Sequence, residues 1–347
     1  MSKSSASLPI AYPQIHPVTE GTTRPLWSVM IPTYNRTLYL EQTIKSVLAQ
    51  GYSPDEMQIE VVDNCSTEND IERLVKEIGN NRVYFYRQPQ NVGMNANWNT
   101  CLNHARGHWV HILHDDDVVL DGFYRYLQSA ILQKPTIGLA FSRYIFMDEE
   151  GHWQSLSPLE SRTPGILTNL LERLAVESVI YAPAVVVRRD VYEKLGGFCS
   201  EARTATDWEM WKRISIHYPV WYEPKPLVCY RQHSSSYTSD SMKSATNFAD
   251  ARRAIEISQS YLPENIAVEL SNKARENYAM SALDLAYYNL AVGEVNVASA
   301  QIKEGLLCSR SFRVIRRVAY IFIWFIMRSV WHSLRNAVSM ASKNDKI

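Results

Sequence analysis

Three consecutive carboxylates, Asp115, Asp116 and Asp117, follow an apolar run that ends at Leu113. Like charges packed this closely repel one another unless a cation lies among them, and oxygen ligands suit Mg²⁺ or Mn²⁺ shared with phosphate oxygens. The bland alternative is a solvated acidic turn. A further carboxylate, Asp207, stands in Thr206-Asp207-Trp208-Glu209. Thr206 and Glu209 have capping-box spacing, which puts Asp207 at the first helical position. There the helix dipole favours the ionised form, the form that accepts a proton from a hydroxyl. The competing reading is a favourable first-turn charge and nothing more. His233, just ahead of a run of serines, adds a common metal ligand beside a segment of lid-like composition.

These residues need a scaffold that brings them together, and the first half of the chain has a strand-then-helix rhythm. Trp27 to Ile31 reads as a buried strand, and Leu40, Ile44, Val47 and Leu48 as one helical face ending before Gly51. Ile59 to Val62 is a second strand. A helix follows with the stripe Ile71, Leu74, Val75 and Ile78, capped by Ser66 or Thr67 and ended by Gly79. Val83 to Tyr86, a helix over 95–106 and Trp109 to Leu113 extend the pattern. Such alternation specifies a largely parallel sheet covered by helices, with ligands at the carboxyl ends of its strands. Pro32-Thr33-Tyr34-Asn35-Arg36, Asp63-Asn64, Asn91-Val92-Gly93 and the Asp triplet all fall at that edge.

From Asp121 the pattern loosens into a helix to Gln133, strands near Ile137 to Phe141 and Tyr144 to Met147, and an irregular stretch from Ser155 to Pro164. Strand signals vanish after Tyr237. Residues 245–342 read as helices, with an αα-hairpin over Ala282 to Leu306 that turns at Gly293. The 347 residues exceed what one core comfortably serves, so a second unit is expected. Hydrophobic residues at 46% and charged residues at 21% describe a folded globular chain. Thirty-six basic residues balance thirty-six acidic ones, which leaves no global field to attract nucleic acid. Five scattered cysteines without a C-x-x-C fit neither a zinc site nor a disulfide framework and favour a reducing compartment.

The segment from about Trp27 to Ser236 resembles the inverting family 2 glycosyltransferases. The resemblance rests on Ser28 to Arg36, Val61 to Ser66, Asn91-Val92-Gly93, Ala105-Arg106-Gly107, Leu113 to Asp117, Leu195 to Phe198 and Thr206 to Glu209, in that order and spacing. It implies an α/β GT-A fold, a Rossmann-like mixed sheet that binds nucleotide-sugars. That fold would occupy 27–240, with a nucleotide-binding half over 27–120 and an acceptor half over 121–240. An extended lead-in over 1–26 precedes it, and an α-helical region over 241–347 follows.

The resemblance also implies roles. Pro32, Thr33, Tyr34 and Arg36 match the nucleoside-contacting loop, with Asn91 and Gly93 beside it. Asp63 matches the acid that hydrogen-bonds a pyrimidine, which implies a UDP- or dTDP-sugar donor. Asp115, Asp116 and Asp117 cover the family's D-x-D region, whose acids hold the ribose and the divalent metal on the diphosphate; Asp115 and Asp116 would serve the donor nucleotide, and Asp116, Asp117 and His233 the metal. Asp207 matches the catalytic base, with Trp208 and Glu209 on the acceptor side. Three positions depart from the family pattern. His114 stands where relatives have the first acid of D-x-D, which leaves the metal-ligand register within the triplet open. Cys65 replaces a common Gly, and Thr206 replaces the usual Glu before the base.

One base and one metal suffice for single displacement with inversion at the anomeric carbon, and the sequence nominates no carboxylate nucleophile for the retaining alternative. The expected activity moves a sugar onto a glycan or lipid-linked glycan in surface-polysaccharide assembly. A sugar-1-phosphate nucleotidyltransferase is disfavoured because no Gly-rich loop with following Arg and Lys succeeds the first strand. The remaining rival is a non-catalytic nucleotide-sugar-binding or scaffold protein. His104, His108, His111 and His114 resemble a metal cluster, but strand alternation separates them.

The tail from Leu306 sets eight Arg and Lys residues against Asp345 and interleaves them with Ile321, Phe322, Trp324, Phe325 and Trp331. Two readings stay open: an interfacial helix on anionic lipid, or a helix packed on its own domain or in a homodimer. No apolar run reaches transmembrane length, and the first 26 residues lack a signal-peptide core. A cytoplasmic location, with a peripheral place on the inner membrane face under the lipid reading, is the expectation.

Overall fold

The computed structural model describes residues 10–67, 70–234 and 236–344. The alternating half comprises β1 (Trp27–Thr33), α1 (Leu40–Leu48), β2 (Met57–Asp63), α2 (Ile71–Gly79), β3 (Tyr84–Arg87), α3 (Met94–His104) and β4 (Trp109–Ile112). Then come β5 (Val118–Val119), α4 (Phe123–Gln133), β6 (Leu139–Met147), β7 (Trp153–Leu156), β8 (Gly165–Ile166) and α5 (Leu170–Val176). They are followed by β9 (Val185–Arg188), α6 (Arg189–Leu195), α7 (Thr206–His217) and β10 (Val220–Arg231). Five helices complete the described chain: α8 (Tyr237–Lys243), α9 (Thr246–Gln259), α10 (Glu264–Val292), α11 (Val295–Cys308) and α12 (Phe312–Asn344).

The sheet runs β3-β2-β1-β4-β9-β6-β10-β5, with β7 on β6 and β8 on β10. Strands β1 to β4 are parallel, as the alternation requires. Val185–Arg188 then inserts as β9, antiparallel to both β4 and β6, which makes the sheet mixed. The two strands expected over Ile137 to Phe141 and Tyr144 to Met147 are one, β6, because β10 pairs along its whole length and absorbs register shifts around Pro226. The start of α2 also differs from expectation. Asp70 caps it by accepting the Arg73 N–H at 3.0 Å, while the Ser66 hydroxyl is drawn away to Asp63.

Side-chain alternation on β1 divides the core between the two sheet faces. Trp27, Val29 and Ile31 pack with Leu40, Ile44 and Val47 of α1 and with Phe123 and Leu127 of α4. Met30 points the other way, into a cluster with Trp98, Leu102, Trp211, Ile214 and Ile255. That second layer ties α7 and α9 to the back of the sheet, and so fixes where the helical region meets the cleft. The hairpin of α10 and α11 turns at Gly293, whose φ of 94° is cheap only without a Cβ. Leu283, Ala286, Ala298, Val314 and Ile321 pack it against α12. Among the described residues no helix is long and apolar enough to cross a membrane.

Candidate active site

The carboxyl ends of β1 and β4 open onto a cleft of about 980 Å³ whose other walls come from α7, α8, α9 and α10. On its floor, Thr33 Oγ1 donates to Asp115 Oδ2 at 2.6 Å, and Arg36 bridges Asp115 Oδ1 at 3.0 Å to Asp116. His233 Nε2 lies 3.0 Å from Asp116 Oδ2. Asp117 turns the other way. Its Oδ1 accepts the Arg231 N–H at 2.8 Å, and its Oδ2 lies 3.3 Å from His114 Nδ1. Burial opposes ionisation of Asp116, but His233 and Arg36 outweigh it and hold that carboxyl below its usual range. Burial pushes Asp115 and Asp117 up to about 6, with the Asp116 charge adding to the rise.

The donor set fits a divalent cation. One oxygen or nitrogen each from His114, Asp116 and Asp117 lies within 4.8 Å of the others. His114 Nε2 is buried with no hydrogen-bond partner, and Asp117 Oδ2, also buried, has only the ion-pair contact with His114 Nδ1. Hard carboxylate oxygens with an imidazole suit Mg²⁺ or Mn²⁺. The Arg36 guanidinium adds positive charge to the cluster through Asp115 and Asp116.

Tyr34, Pro32, Asn91 and Gly93 line the cleft at the end of β1 and in the loops after β1 and β3. Asn64 links the β1 and β3 loops by donating to Asn91 Oδ1 at 3.0 Å and accepting the Val92 N–H at 2.9 Å. Asp63 lies beneath this wall, fully buried. It accepts from the Ser66 N–H at 3.1 Å, from the Ser66 hydroxyl and from Arg87 Nε at 2.7 Å. Its expected place against a base is therefore filled by protein donors, of which Arg87 is the half-exposed one.

Asp207 faces the triplet from the first turn of α7. Its Oδ1 accepts the Trp208 N–H at 2.7 Å. Burial raises its carboxyl to about 6, against the Trp208 N–H and the charge of His114, which both lower it. The expected capping box does not form. Ala205 is the N-cap, the Thr206 hydroxyl donates to the Cys199 carbonyl at 3.0 Å, and Asp207 is the second helical residue. Glu209 cannot close the box because it is engaged elsewhere. It takes two 3.0 Å bonds from Arg213, one turn on, and is 0% exposed. Glu209 is therefore a core residue and not part of an acceptor wall. Trp208 is likewise buried, its indole donating to the Leu174 carbonyl at 2.6 Å and its ring lying under Lys212 Nζ at 3.6 Å.

Trp208 nonetheless reaches the cleft lining beside Asp207, where Tyr181 and Tyr278 join it. Neither carried a motif, and Tyr278 enters from α10, far along the chain. Trp98, stacked on His114 at 5.1 Å, is a third cleft residue that no motif marks. The histidine series is dispersed as strand geometry requires. His104 pairs with Glu60 at 2.7 Å, and His111 is sealed between Tyr124 and the Pro183 carbonyl, with burial driving its pKa down to about 3.

Comparison with known proteins agrees with this geometry. Residues 28–196 match the family model described as glycosyl transferase family 2. A Campylobacter jejuni GalNAc(5)-diNAcBac-PP-undecaprenol beta-1,3-glucosyltransferase is 36% identical over 120 residues, 33% of this chain and 36% of the relative. In three dimensions the chain resembles Staphylococcus aureus TarS in complex with UDP-GlcNAc, with a TM-score of 0.58 at 16% identity over 80% of this chain and 88% of that one. It also resembles a Pyrobaculum calidifontis mannosyltransferase in complex with GDP-Man and Mn²⁺, with a TM-score of 0.56 at 16% identity over 91% and 86%. The chain belongs, through residues 28–196, to glycosyl transferase family 2 and adopts the GT-A fold.

Proposed function

We propose that the protein is a metal-dependent inverting glycosyltransferase that moves a sugar from a UDP- or dTDP-sugar to a glycan or lipid-linked glycan. The observation that carries this reading is the placement on one cleft of a half-buried carboxylate whose pKa is raised to about 6, Asp207, with an acidic cluster joined by His233. Asp116, Asp117 and His233 would hold the cation, with His114, whose ring nitrogen completes the group of donor atoms lying within 4.8 Å, beside them; a cation there would supply the Lewis acidity that neutralises the departing diphosphate. Thr33 and Arg36 orient Asp115 toward the donor's ribose. Tyr34, Pro32, Asn91 and Gly93 bound the nucleoside, and displacement of Arg87 frees Asp63 Oδ2 to accept the imide N–H of uracil or thymine. Asp207 takes the proton from the attacking acceptor hydroxyl, a role for which a pKa of about 6 is apt, being ionised at neutral pH yet still basic. With that carboxylate on the acceptor side acting as base, single displacement and inversion follow.

The catalytic unit in this reading spans 27–240, with 241–347 as its helical companion. The outward face of α12 exposes Phe312, Ile315, Phe322, Ile323 and Ile326 among arginines. Such a surface suits peripheral attachment to the inner, anionic membrane face, where a lipid-linked acceptor in surface-polysaccharide assembly would be met. The Campylobacter relative is named for a polyprenol-linked acceptor, which supports the same class here. The test is transfer itself. Purified protein with Mn²⁺, UDP- and dTDP-sugars and polyprenol-linked acceptors should release UDP or dTDP and form a product of inverted anomeric configuration. Retained configuration, or no release from any donor, would overturn the assignment.

A further inference from the structure

The walls of the cleft differ in chemistry. The triplet side carries Arg36 and Arg231, both engaged with the Asp116 region. The Asp207 side is lined by Ser178, Tyr181, Asn247 and Tyr278, with no lysine or arginine among these described residues. Tyr181 and Tyr278 are partly exposed there. Tyr278 is backed by Trp208, its ring centroid 5.0 Å away at 33°, and Trp208 is itself clamped by Lys212 and the Leu174 carbonyl. A stack so supported is rigid. Asn247, at the start of α9, contributes a side-chain oxygen that is buried and has no hydrogen-bond partner. Two aromatic faces and an unused acceptor beside a carboxylate base are complementary to a pyranose, whose weakly positive C–H groups meet a negative π-face while its hydroxyls seek acceptors.

We propose that Tyr181 and Tyr278 form the platform on which the acceptor's reacting sugar stacks, that Asn247 Oδ1 accepts one of its hydroxyls, and that the sugar is an uncharged pyranose. This rests on Asp207 being the base. A phosphorylated or acidic ring is disfavoured because Asp207 would repel it and, among the described residues, the lysines and arginines that line the cleft, Arg36 and Arg231, are engaged with Asp115 and Asp116 on the opposite wall. The burial of both tyrosine hydroxyls, together with the charge of Asp207, pushes their titration upward and keeps them neutral. The platform makes the helical region part of the site, since Asn247 and Tyr278 lie beyond the residues that match the family model.

Saturation-transfer NMR tests this without a known acceptor. The full chain is mixed in turn with methyl β-glucopyranoside, methyl α-mannopyranoside, N-acetylglucosamine and glucose 6-phosphate, with and without UDP and Mn²⁺. At least one neutral pyranoside should receive saturation at its ring C–H protons, and glucose 6-phosphate none. Tyr278→Leu and Tyr181→Leu should each reduce the signal at least five-fold, with Tyr278→Phe retaining it. UDP titration by calorimetry monitors the donor site in the same samples, so failure to bind UDP counts against the glycosyltransferase reading alone. Should no pyranoside be saturated, should the phosphate sugar be preferred, or should both Leu variants keep the signal, the platform is overturned. Circular dichroism melting of the Leu and Phe variants separates loss of stacking from loss of fold.

Discussion

His233 Nε2 stands 3.0 Å from Asp116 Oδ2, a contact between the end of the loop after β10 and the end of β4, 117 residues apart. It brings together two of the residues proposed to hold the cation. Asp116 meets His233 and Arg36 at the cleft floor, while Asp117 accepts the Arg231 N–H through Oδ1 and turns Oδ2 toward His114, with a carboxylate oxygen within 4.8 Å of the Asp116 donor atom. Asp116→Asn is expected to abolish detectable Mn²⁺ binding. Removal of the histidine in His233→Ala should weaken Mn²⁺ by roughly 10–100-fold. Equal losses for His233→Ala and a distant surface variant in a Mn²⁺ titration would refute the shared site.

Arg36 and a bound cation would compete for the same carboxylates, which would give the arginine two effects of opposite sign. In the free protein its guanidinium neutralises Asp115 and Asp116. Once a diphosphate arrives, that guanidinium gains an anionic partner. Arg36→Gln should therefore tighten Mn²⁺ in the absence of nucleotide by several-fold, and weaken UDP in the presence of Mn²⁺ by about ten-fold. Weaker binding of both ligands in calorimetry would count against the exchange.

Asp207 should set the acid limb of the rate profile. Its folded pKa of about 6 lies above the ordinary carboxylate value, so the fraction of active base falls as pH drops through 6. At saturating Mn²⁺, with Asp116 and Asp117 held ionised by the metal, kcat should decline ten-fold per unit below that point. Asp207→Asn should cost about 10²–10⁴ in kcat while leaving UDP affinity unchanged. A profile flat from pH 5 to 8 would remove Asp207 from the proton transfer.

Glu209 is expected to affect stability rather than acceptor binding. Its carboxylate and the Arg213 guanidinium are both buried, and Arg213 also donates to the Gly197 carbonyl at 2.8 Å. Glu209→Ala strands a buried cation and should destabilise the fold by roughly 3–5 kcal/mol. A thermal melt unchanged from wild type, together with a raised acceptor KM, would return Glu209 to the acceptor wall.

Membrane attachment through α12 is checked by co-sedimentation with phosphatidylglycerol vesicles. The full chain should pellet with them at low salt, and Ile323→Glu with Ile326→Glu should release it, since both side chains face solvent. Release by the double variant from a dimer in light scattering, with no vesicle binding by wild type, would identify the face as a subunit contact instead.

Much of the site was legible in sequence because parallel α/β folds deliver strand-end residues to one edge. Thr33, Arg36 and Asp115 are local to their strands, and their convergence follows from the β-α alternation. What sequence could not convey depended on competition between partners. Glu209 has capping-box spacing from Thr206 and i,i+4 spacing to Arg213, and burial selects the ion pair. Ser66 was a fitting helix cap, but Asp63 lies closer to its hydroxyl. Strand β9 is four residues long and enters antiparallel, which a pattern of parallel repeats conceals. Tyr278 sits in a helix whose polar and apolar residues are evenly mixed, so only the docking of α10 reveals which residue meets the cleft.

The donor site is tested most directly by calorimetric titration of UDP and dTDP into the full chain with Mn²⁺, with EDTA, and with Asp116→Asn. Metal-dependent binding of one or both nucleotides, lost in EDTA and in the variant, is the expected result. Nucleotide binding that is indifferent to both metal and Asp116, or no binding to either nucleotide under any condition, would contradict the donor site described for this cleft.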